Sequence, residues 1–243
     1  MISKNQIKFV KSLQQKKFRN EHNCFVVETK KNVLEILNSH FHIKMIFALE
    51  TWVGENEVSS EVEVIEVNRK EMSRISSLKN PSEVLAVVFI PKQKISNEFK
   101  GVNIVIDEIK DPGNLGTIIR ICDWFAVKNI YLSEKSVDLY NPKVIQSTMG
   151  SISRVNLIYT DLNSLILNLP KDVKVYAAVI DGKNINTIEV PNNCFIVFGN
   201  ESKGISDDLL NIIENKITIN RVGKAESLNV AISTSIILNK FCN

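Results

Sequence analysis

The chain is poor in the residues that build metal sites and disulfide frameworks: among 243 residues there are four cysteines and three histidines. Cys24, Cys122, Cys194 and Cys242 are far apart with no Cys-x-x-Cys pair, and His22, His40 and His42 form no His-Glu-x-x-His pattern. No metal is therefore expected. Cys24, Cys122 and Cys194 lie in apolar runs, which predicts buried free thiols in a reducing compartment. No N-terminal apolar stretch has the form of a signal peptide, and no apolar run is long enough to span a bilayer. The expectation is a cytoplasmic protein with no membrane partner. A Gly-x-Gly-x-x-Gly turn with a downstream acidic residue and a phosphate loop ending in Gly-Lys-Ser/Thr are both absent, which disfavours dinucleotide dehydrogenases and P-loop enzymes.

Acidic residues are missing from one place in particular. The first twenty residues carry Lys4, Lys8, Lys11, Lys16, Lys17 and Arg19 and no Asp or Glu. Such a stretch suits a partner bearing phosphates, or else a solvated helix face. The whole chain is only mildly basic, at +3 with a pI near 8.6, so the distribution says more than the total. With 44% hydrophobic and 23% charged residues there is ample material for a core.

The pattern along the chain is alternating α/β. Helical periodicity covers Ser3 to about Gln15, Lys30 to Ser39 and Arg69 to Leu78. Strands are predicted at Cys24–Glu28, Lys44–Leu49, Val62–Val67 and Val84–Ile90. The polar stretch from Pro91 to Gly101 has no periodicity and reads as a linker, giving domains at 1–92 and 102–243 joined through 93–101. In the second domain, short apolar strands are predicted at 103–106, 129–132, 173–179, 194–198 and 217–219. Helices are predicted at 116–126, 142–149, 162–169, 205–213 and 228–241. Short apolar strands between helices imply a mostly parallel sheet covered on both faces, which binds ligands at the carboxyl ends of its strands. The last helix is apolar on several sides, which suits burial against other backbone or a partner subunit.

Three strand-to-helix junctions there share a design. The first runs Asp111-Pro112-Gly113-Asn114-Leu115-Gly116 and leads to Arg120. The second is Phe198-Gly199-Asn200-Glu201-Ser202-Lys203-Gly204. The third runs from Ile219 to Asn229. Each alone has a plain structural reading. The first is a tight turn with Arg120 paired to Asp123, the second an exposed turn with Glu201 paired to Lys203, and the third a helix cap at Ser227 or Asn229.

Together, and in this order, the loops resemble the SpoU/TrmH family of RNA 2′-O-ribose methyltransferases of the SPOUT class. Asp111 to Arg120 looks like its first motif, Phe198 to Ser206 its second, and Ser227-Leu228-Asn229-Val230-Ala231 its third. Lys143 to Ser151 is similar to a segment between the first two. Phe25-Val26-Val27-Glu28 and Pro81 to Val87 look like the L30e-like substrate-binding domain that many members carry. Some positions depart from the family pattern. Thr29 and Ala126 stand where relatives commonly have Gly, Ile121-Cys122 replaces Thr-Ala, and Ser202 sits where Gly or Ala is frequent.

The resemblance implies a deep trefoil knot, S-adenosylmethionine as cofactor and a homodimer through the C-terminal domain. It makes Asn114, Arg120, Glu201, Ser227 and Asn229 the functional set, with the hydroxyl's activation assigned to Arg120. Cofactor binding falls to Gly199, Ile219 and Leu228 with the flanking Phe198, Asn200 and Gly204. RNA becomes the phosphate-bearing partner of the six N-terminal cations, ribosomal RNA in preference to transfer RNA. The alternatives are a transfer-RNA methyltransferase and a catalytically inactive RNA-binding relative.

Overall fold

A computed structural model describes residues 2–93 and 99–243. The chain divides into two compact units, residues 1–92 with 138–153 and residues 93–137 with 154–243. The linker expected at 93–101 lies in part, at 94–98, outside the described residues. The segment 138–153, which the sequence reading places in the second domain, belongs to the first unit.

The first unit is built from α1 (Lys4–Ser12), α2 (Lys16–His22), β1 (Cys24–Glu28), α3 (Lys30–Leu37), β2 (Ile43–Ala48), α4 (Glu50–Glu55), β3 (Glu63–Glu66), α5 (Arg69–Ile75), β4 (Val84–Phe89) and, from the inserted segment, α7 (Pro142–Thr148). Its sheet has the order β1-β4-β2-β3. β4 runs antiparallel to both β1 and β2, and β3 is parallel to β2. Alternation along β1 sends Cys24 and Val26 to one face, where Val10, Leu13, Met72 and Ile75 complete a core. Phe25 points the other way and meets Tyr140, with ring centroids 4.7 Å apart. α1 starts on a capping box in which Ser3 and Gln6 satisfy each other's main-chain N–H.

Arg19 does not stand in solvent with the lysines around it. The sequence reading counts it with the RNA-facing cations, but it is 2% exposed. Its guanidinium donates to the carbonyls of Leu13 and Gln14, both at 2.8 Å, and forms an ion pair with Asp138. A planar fork satisfied on several sides holds a buried charge that an ammonium could not. This residue ties the N-terminal helices to the inserted segment and is withdrawn from the phosphate-binding set.

The second unit contains β5 (Gly101–Ile106), α6 (Pro112–Trp124), β6 (Asn129–Leu132), β7 (Asn156–Tyr159), α8 (Leu162–Leu167), β8 (Lys174–Asn184), β9 (Asn193–Phe198), α9 (Asp207–Ile212), β10 (Asn215–Thr218) and α10 (Val230–Cys242). Six strands in the order β10-β8-β9-β5-β6-β7 make an all-parallel sheet, as the short apolar runs predict. One face packs on α8 and α9 through Leu162, Ile166, Leu209 and Ile213. α6 and α10 pack against each other, and Phe241 of α10 meets Tyr176 of β8 at 5.4 Å. The four cysteines are free thiols, and Cys24, Cys122 and Cys194 are buried. Burial raises the Cys194 thiol to about 12, which leaves it protonated and inert.

Two elements differ from the sequence reading in ways that matter for the site. α6 begins at Pro112, not Gly116, because Asp111 caps it and Pro112 occupies its first turn. β8 continues to Asn184 through a polar stretch, because Gly182 lets the strand approach β10 closely: a Cβ there would lie 2.7 Å from the Ile217 carbonyl carbon. The short α2, α4 and β7 have no counterpart among the predicted elements.

Thr29 and Ala126, two of the departures that the resemblance marks, have left-handed backbone. Thr29 has φ 83° and Ala126 has φ 56°. A Cβ is disfavoured in that region, most of all when branched. Thr29→Gly and Ala126→Gly should each raise unfolding free energy by about 1 kcal/mol in urea titrations. Asp138→Ala should instead cost about 3 kcal/mol, because it strands a buried guanidinium.

Candidate active site

The three polar loops of the second unit meet at the carboxyl end of the parallel sheet. β5 leads into the first loop and β9 into the second, and these strands are hydrogen-bonded neighbours. The third loop follows β10 and ends on α10. Asp107 extends the pairing from β5, its N–H donating to the Phe198 carbonyl at 2.8 Å, and its buried carboxylate accepts from the Ser206 N–H at 2.9 Å. First and second loops are thus locked before any site residue is placed.

Asn114 joins the loops. Its main-chain N–H donates to the capping carboxylate of Asp111 at 2.8 Å. Its side-chain amide donates to Glu201 Oε1 at 3.1 Å, and its side-chain oxygen accepts from Asn229 Nδ2 at 2.9 Å. Asn229 also caps α10, its Oδ1 accepting from the Ala231 N–H at 2.9 Å. An amide with both a donor and an acceptor can serve two loops at once, which neither Asp nor Leu in the same volume could do. Glu201 lies in addition 3.4 Å from the Asp111 N–H and 3.5 Å from the Lys110 N–H. The carboxylate therefore faces the start of α6, where negative charge is favoured. It does not take Lys203 as its partner.

The second loop is folded on its own backbone. Asn200 and Gly204 exchange main-chain hydrogen bonds, each 2.9 Å. Asn200 Oδ1 accepts from the Ser202 and Lys203 N–H groups, and Asn200 Nδ2 donates to the Glu108 carbonyl at 2.8 Å. Gly199 must be Gly, since a Cβ there would overlap the Gly204 carbonyl carbon and the Ile205 nitrogen. Gly204 has φ 72°, a conformation that favours Gly. Among the cofactor candidates, Asn200 is thus a loop-builder by its side chain, and Phe198 is buried at 2%.

Arg120 lies more than two turns into α6, exposed, with no side-chain hydrogen bond among the described residues. Asp123, its expected surface partner, is taken by Arg154, whose Nε lies 3.0 Å from both carboxylate oxygens. Arg120 is left available, but it is not joined to Asn114 or Glu201 within this chain. Ser227 is exposed and caps nothing. The whole run from Arg221 to Asn229 is exposed, and main-chain atoms of 220–228 make no backbone hydrogen bond among the described residues. Apolar side chains stand out there, Val222 at 93% and Leu228 at 48% exposed.

Sequence reasoning missed Glu108. It takes up left-handed backbone at φ 53°, and its carboxylate pairs with Lys135 at 3.0 Å. The Lys135 hydrogen bond holds its acid below the usual carboxylate range, with the Lys135, Lys110 and Lys203 charges adding to this. No local signal marks it, because Lys135 comes from a different loop. In the first unit, Lys4, Lys8, Lys11, Lys16 and Lys17 are all exposed.

Residues 101–239 match the family model described as the SpoU rRNA Methylase family, and residues 4–86 match that of an MRM3-like substrate binding domain. The chain is 28% identical over 239 residues to the 23S rRNA (guanosine(2553)-2′-O)-methyltransferase RlmP of Bacillus subtilis, covering 97% of this chain and 96% of that protein. A TrmH-family protein from Porphyromonas gingivalis superposes with a TM-score of 0.91 at 32% identity, over 99% of this chain and 98% of that one. An AdoMet-bound rRNA methyltransferase from Sinorhizobium meliloti superposes at 0.87 with 28% identity, over 99% of this chain and 95% of that one. A parallel sheet with three cross-linked loops at its carboxyl edge thus defines an S-adenosylmethionine-dependent methyltransferase of RNA. The chain belongs to the SpoU rRNA methylase family.

The loops fit the cofactor on their own chemistry. Main-chain groups of 220–228 that bond to no other main chain among the described residues, beside the exposed Leu228, offer polar atoms and an apolar wall to a flat heteroaromatic base, and Gly199 lets the second loop close tightly on its own backbone. If Asn114 couples the loops, its loss and that of Glu201 should not be additive. Asn114→Ala and Glu201→Ala should each lower methyl transfer about a hundredfold. The double variant should be little worse than either, in a rate-based mutant cycle.

Proposed function

We propose that this protein transfers the methyl group of S-adenosylmethionine to a ribose 2′-hydroxyl of ribosomal RNA, with Arg120 as the residue that organises the reacting hydroxyl. The observation that carries this reading is the Glu201–Asn114–Asn229 chain at the mouth of the parallel sheet. It connects the three motif loops through side chains that have no part in the core. Cofactor contacts are assigned to the main chain around Gly199, Ile219 and Leu228, and Ser227 shapes the third loop. The bound cofactor supplies a sulfonium methyl with a good leaving group, so positioning carries much of the rate.

The three histidines all precede residue 43, so the loops of the second unit offer no imidazole base. A guanidinium stays protonated and is a poor base. Arg120 therefore acts by orienting the ribose and stabilising the developing alkoxide with its planar fork. Its freedom from Asp123 leaves that fork available. Asn114 and Glu201 set the geometry of the loop from which α6 starts.

The protein acts as a homodimer through its second unit, and the implied trefoil knot belongs to the same proposal. Trp124, Ile232 and Ile236 are 84%, 53% and 38% exposed on α6 and α10, two helices that already pack together. Large apolar side chains concentrated on one helix pair suit a self-associating face. Arg120 lies one turn before Trp124 on α6, which would bring it to that face and so to the partner's loops. The exposed lysines of α1 and α2 meet RNA phosphates and give salt-sensitive affinity without sequence information. Ribosomal RNA is preferred as substrate because the full-length relative RlmP is a 23S rRNA methyltransferase.

The decisive experiment maps 2′-O-methyl sites in total RNA with and without the gene. One ribosomal site should vanish without it, and an unchanged ribosomal profile would refute the substrate assignment. Arg120→Lys should lower single-turnover methyl transfer at least about a hundredfold while S-adenosylmethionine binds as before. Near-normal transfer would remove Arg120 from this role.

A further inference from the structure

The first unit carries a chain of aromatic rings and cations that the lysine pattern alone does not reveal. Lys44 Nζ lies 5.1 Å from the Phe9 ring centroid and 5.7 Å from that of Phe89. Phe9 meets His22 edge-on at 5.1 Å, and His22 lies near-parallel to Phe18 at 6.5 Å. Lys17 Nζ closes the series 5.8 Å from the Phe18 ring. The strip Phe89–Lys44–Phe9–His22–Phe18–Lys17 thus draws on β4, β2, α1 and α2. Phe89 is 38% exposed, Phe9, Phe18 and His22 are half-buried, and both lysines are exposed. The sole acidic residue in the α1–α2 segment is Glu21, also exposed.

Rings serving only the core would be covered, as Phe25 and Phe47 are at 0% exposure. Phe9 packs partly against the core, whereas Phe18 and Phe89 keep part of their surface in water with Lys17 over one ring and Lys44 over the other, and these match what unpaired nucleotides require. Base faces stack on the aromatic side chains and phosphates meet the lysines. A duplex hides its base faces and presents only phosphate and sugar, so it would gain from the cations but not from the rings. We infer that this aromatic–lysine strip is a binding site for unpaired nucleotides of the RNA substrate, held by stacking on Phe18 and Phe89 and by Lys17 and Lys44 at the phosphates. This rests on the reading that the substrate is RNA. It adds that the protein engages a single-stranded segment through the first unit.

The test is fluorescence anisotropy on the full chain, with a short labelled oligouridine and a blunt RNA duplex of equal length as probes. Phe89→Ala and Phe18→Leu should each weaken oligouridine binding on the order of tenfold, and duplex binding by less than about twofold. Phe18→Tyr keeps the ring and should bind as wild type. Lys17→Gln and Lys44→Gln should each flatten the logarithmic salt dependence by about 0.7, a change the phenylalanine variants should not produce. Wild-type affinity in both Phe18→Leu and Phe89→Ala, equal losses for both probes, or failure of Phe18→Tyr to restore binding would each overturn the inference. Calorimetric titration with S-adenosylmethionine keeps the two readings apart. Retained cofactor binding with unaffected oligouridine binding sinks the strip alone, whereas failure of the wild type to bind the cofactor strikes the methyltransferase reading.

Discussion

A single carboxamide bonds to both of the other loops at this sheet edge. Asn114 gives its N–H to Glu201 and takes one from Asn229, so the first loop is held to the second and to the third. Each bond is exposed and worth on the order of 1 kcal/mol net, small against the burial of one core Leu or Ile at about 2 kcal/mol. The fold does not need Asn114. The relative placement of the loops does. A residue whose removal costs little stability while freeing the third loop from the other two is positioned for geometry, and that separates it from core residues such as Leu115 and Ile118 on the same helix.

The rigid parts lie directly beneath. Asp107 is buried and continues the hydrogen-bonding from β5 to β9, while Asn200 closes the second loop on its own backbone and on Glu108. The flexible-looking chemistry at the surface is thus fixed by buried or doubly bonded groups one residue away. The third loop contrasts with this. Its main chain is bare of backbone hydrogen bonds, and Val222 and Leu228 face solvent. Exposed apolar groups and unmet main-chain polar groups in one segment are what a ligand or partner subunit would cover, and the preorganised loops beside it supply the template.

Much of this was legible in the sequence, for reasons that differ by element. β5 and β9 are apolar runs with turn residues at their ends, and burial on both faces makes them stand out. The start of α6 was read as loop because Pro112 and Gly113 look like turn residues, although Asp-Pro is also a helix-start signal. Arg19 shows the opposite failure. It has the same charge and neighbourhood as Lys16 and Lys17, yet its partner Asp138 is 119 residues away. Periodicity carries no information about such a pair. The strip from Phe89 to Lys17 was hidden for the same reason, its members being drawn from four elements that only the tertiary fold brings into line. Asn229 was read both as a cap and as a functional residue, and it is placed to be both, with Oδ1 on the helix and Nδ2 on Asn114.

The departures from the family pattern show where this chain has accepted strain. Thr29 and Ala126 hold left-handed backbone, a conformation that favours Gly, and each follows or precedes a helix. Thr29 recovers part of the cost as a cap, its hydroxyl accepting from the Asn32 N–H at 3.4 Å. Ala126 has no such return, but the chain turns there from α6 toward β6 with Val127 donating to the Cys122 carbonyl at 2.8 Å. In both places the tertiary frame overrides the local preference. At the sheet's carboxyl edge the left-handed positions are Gly204, where Gly adopts the conformation freely, and Glu108, which carries a side chain held by lysines. Neither Thr29 nor Ala126 hydrogen-bonds to the Asn114 bridge.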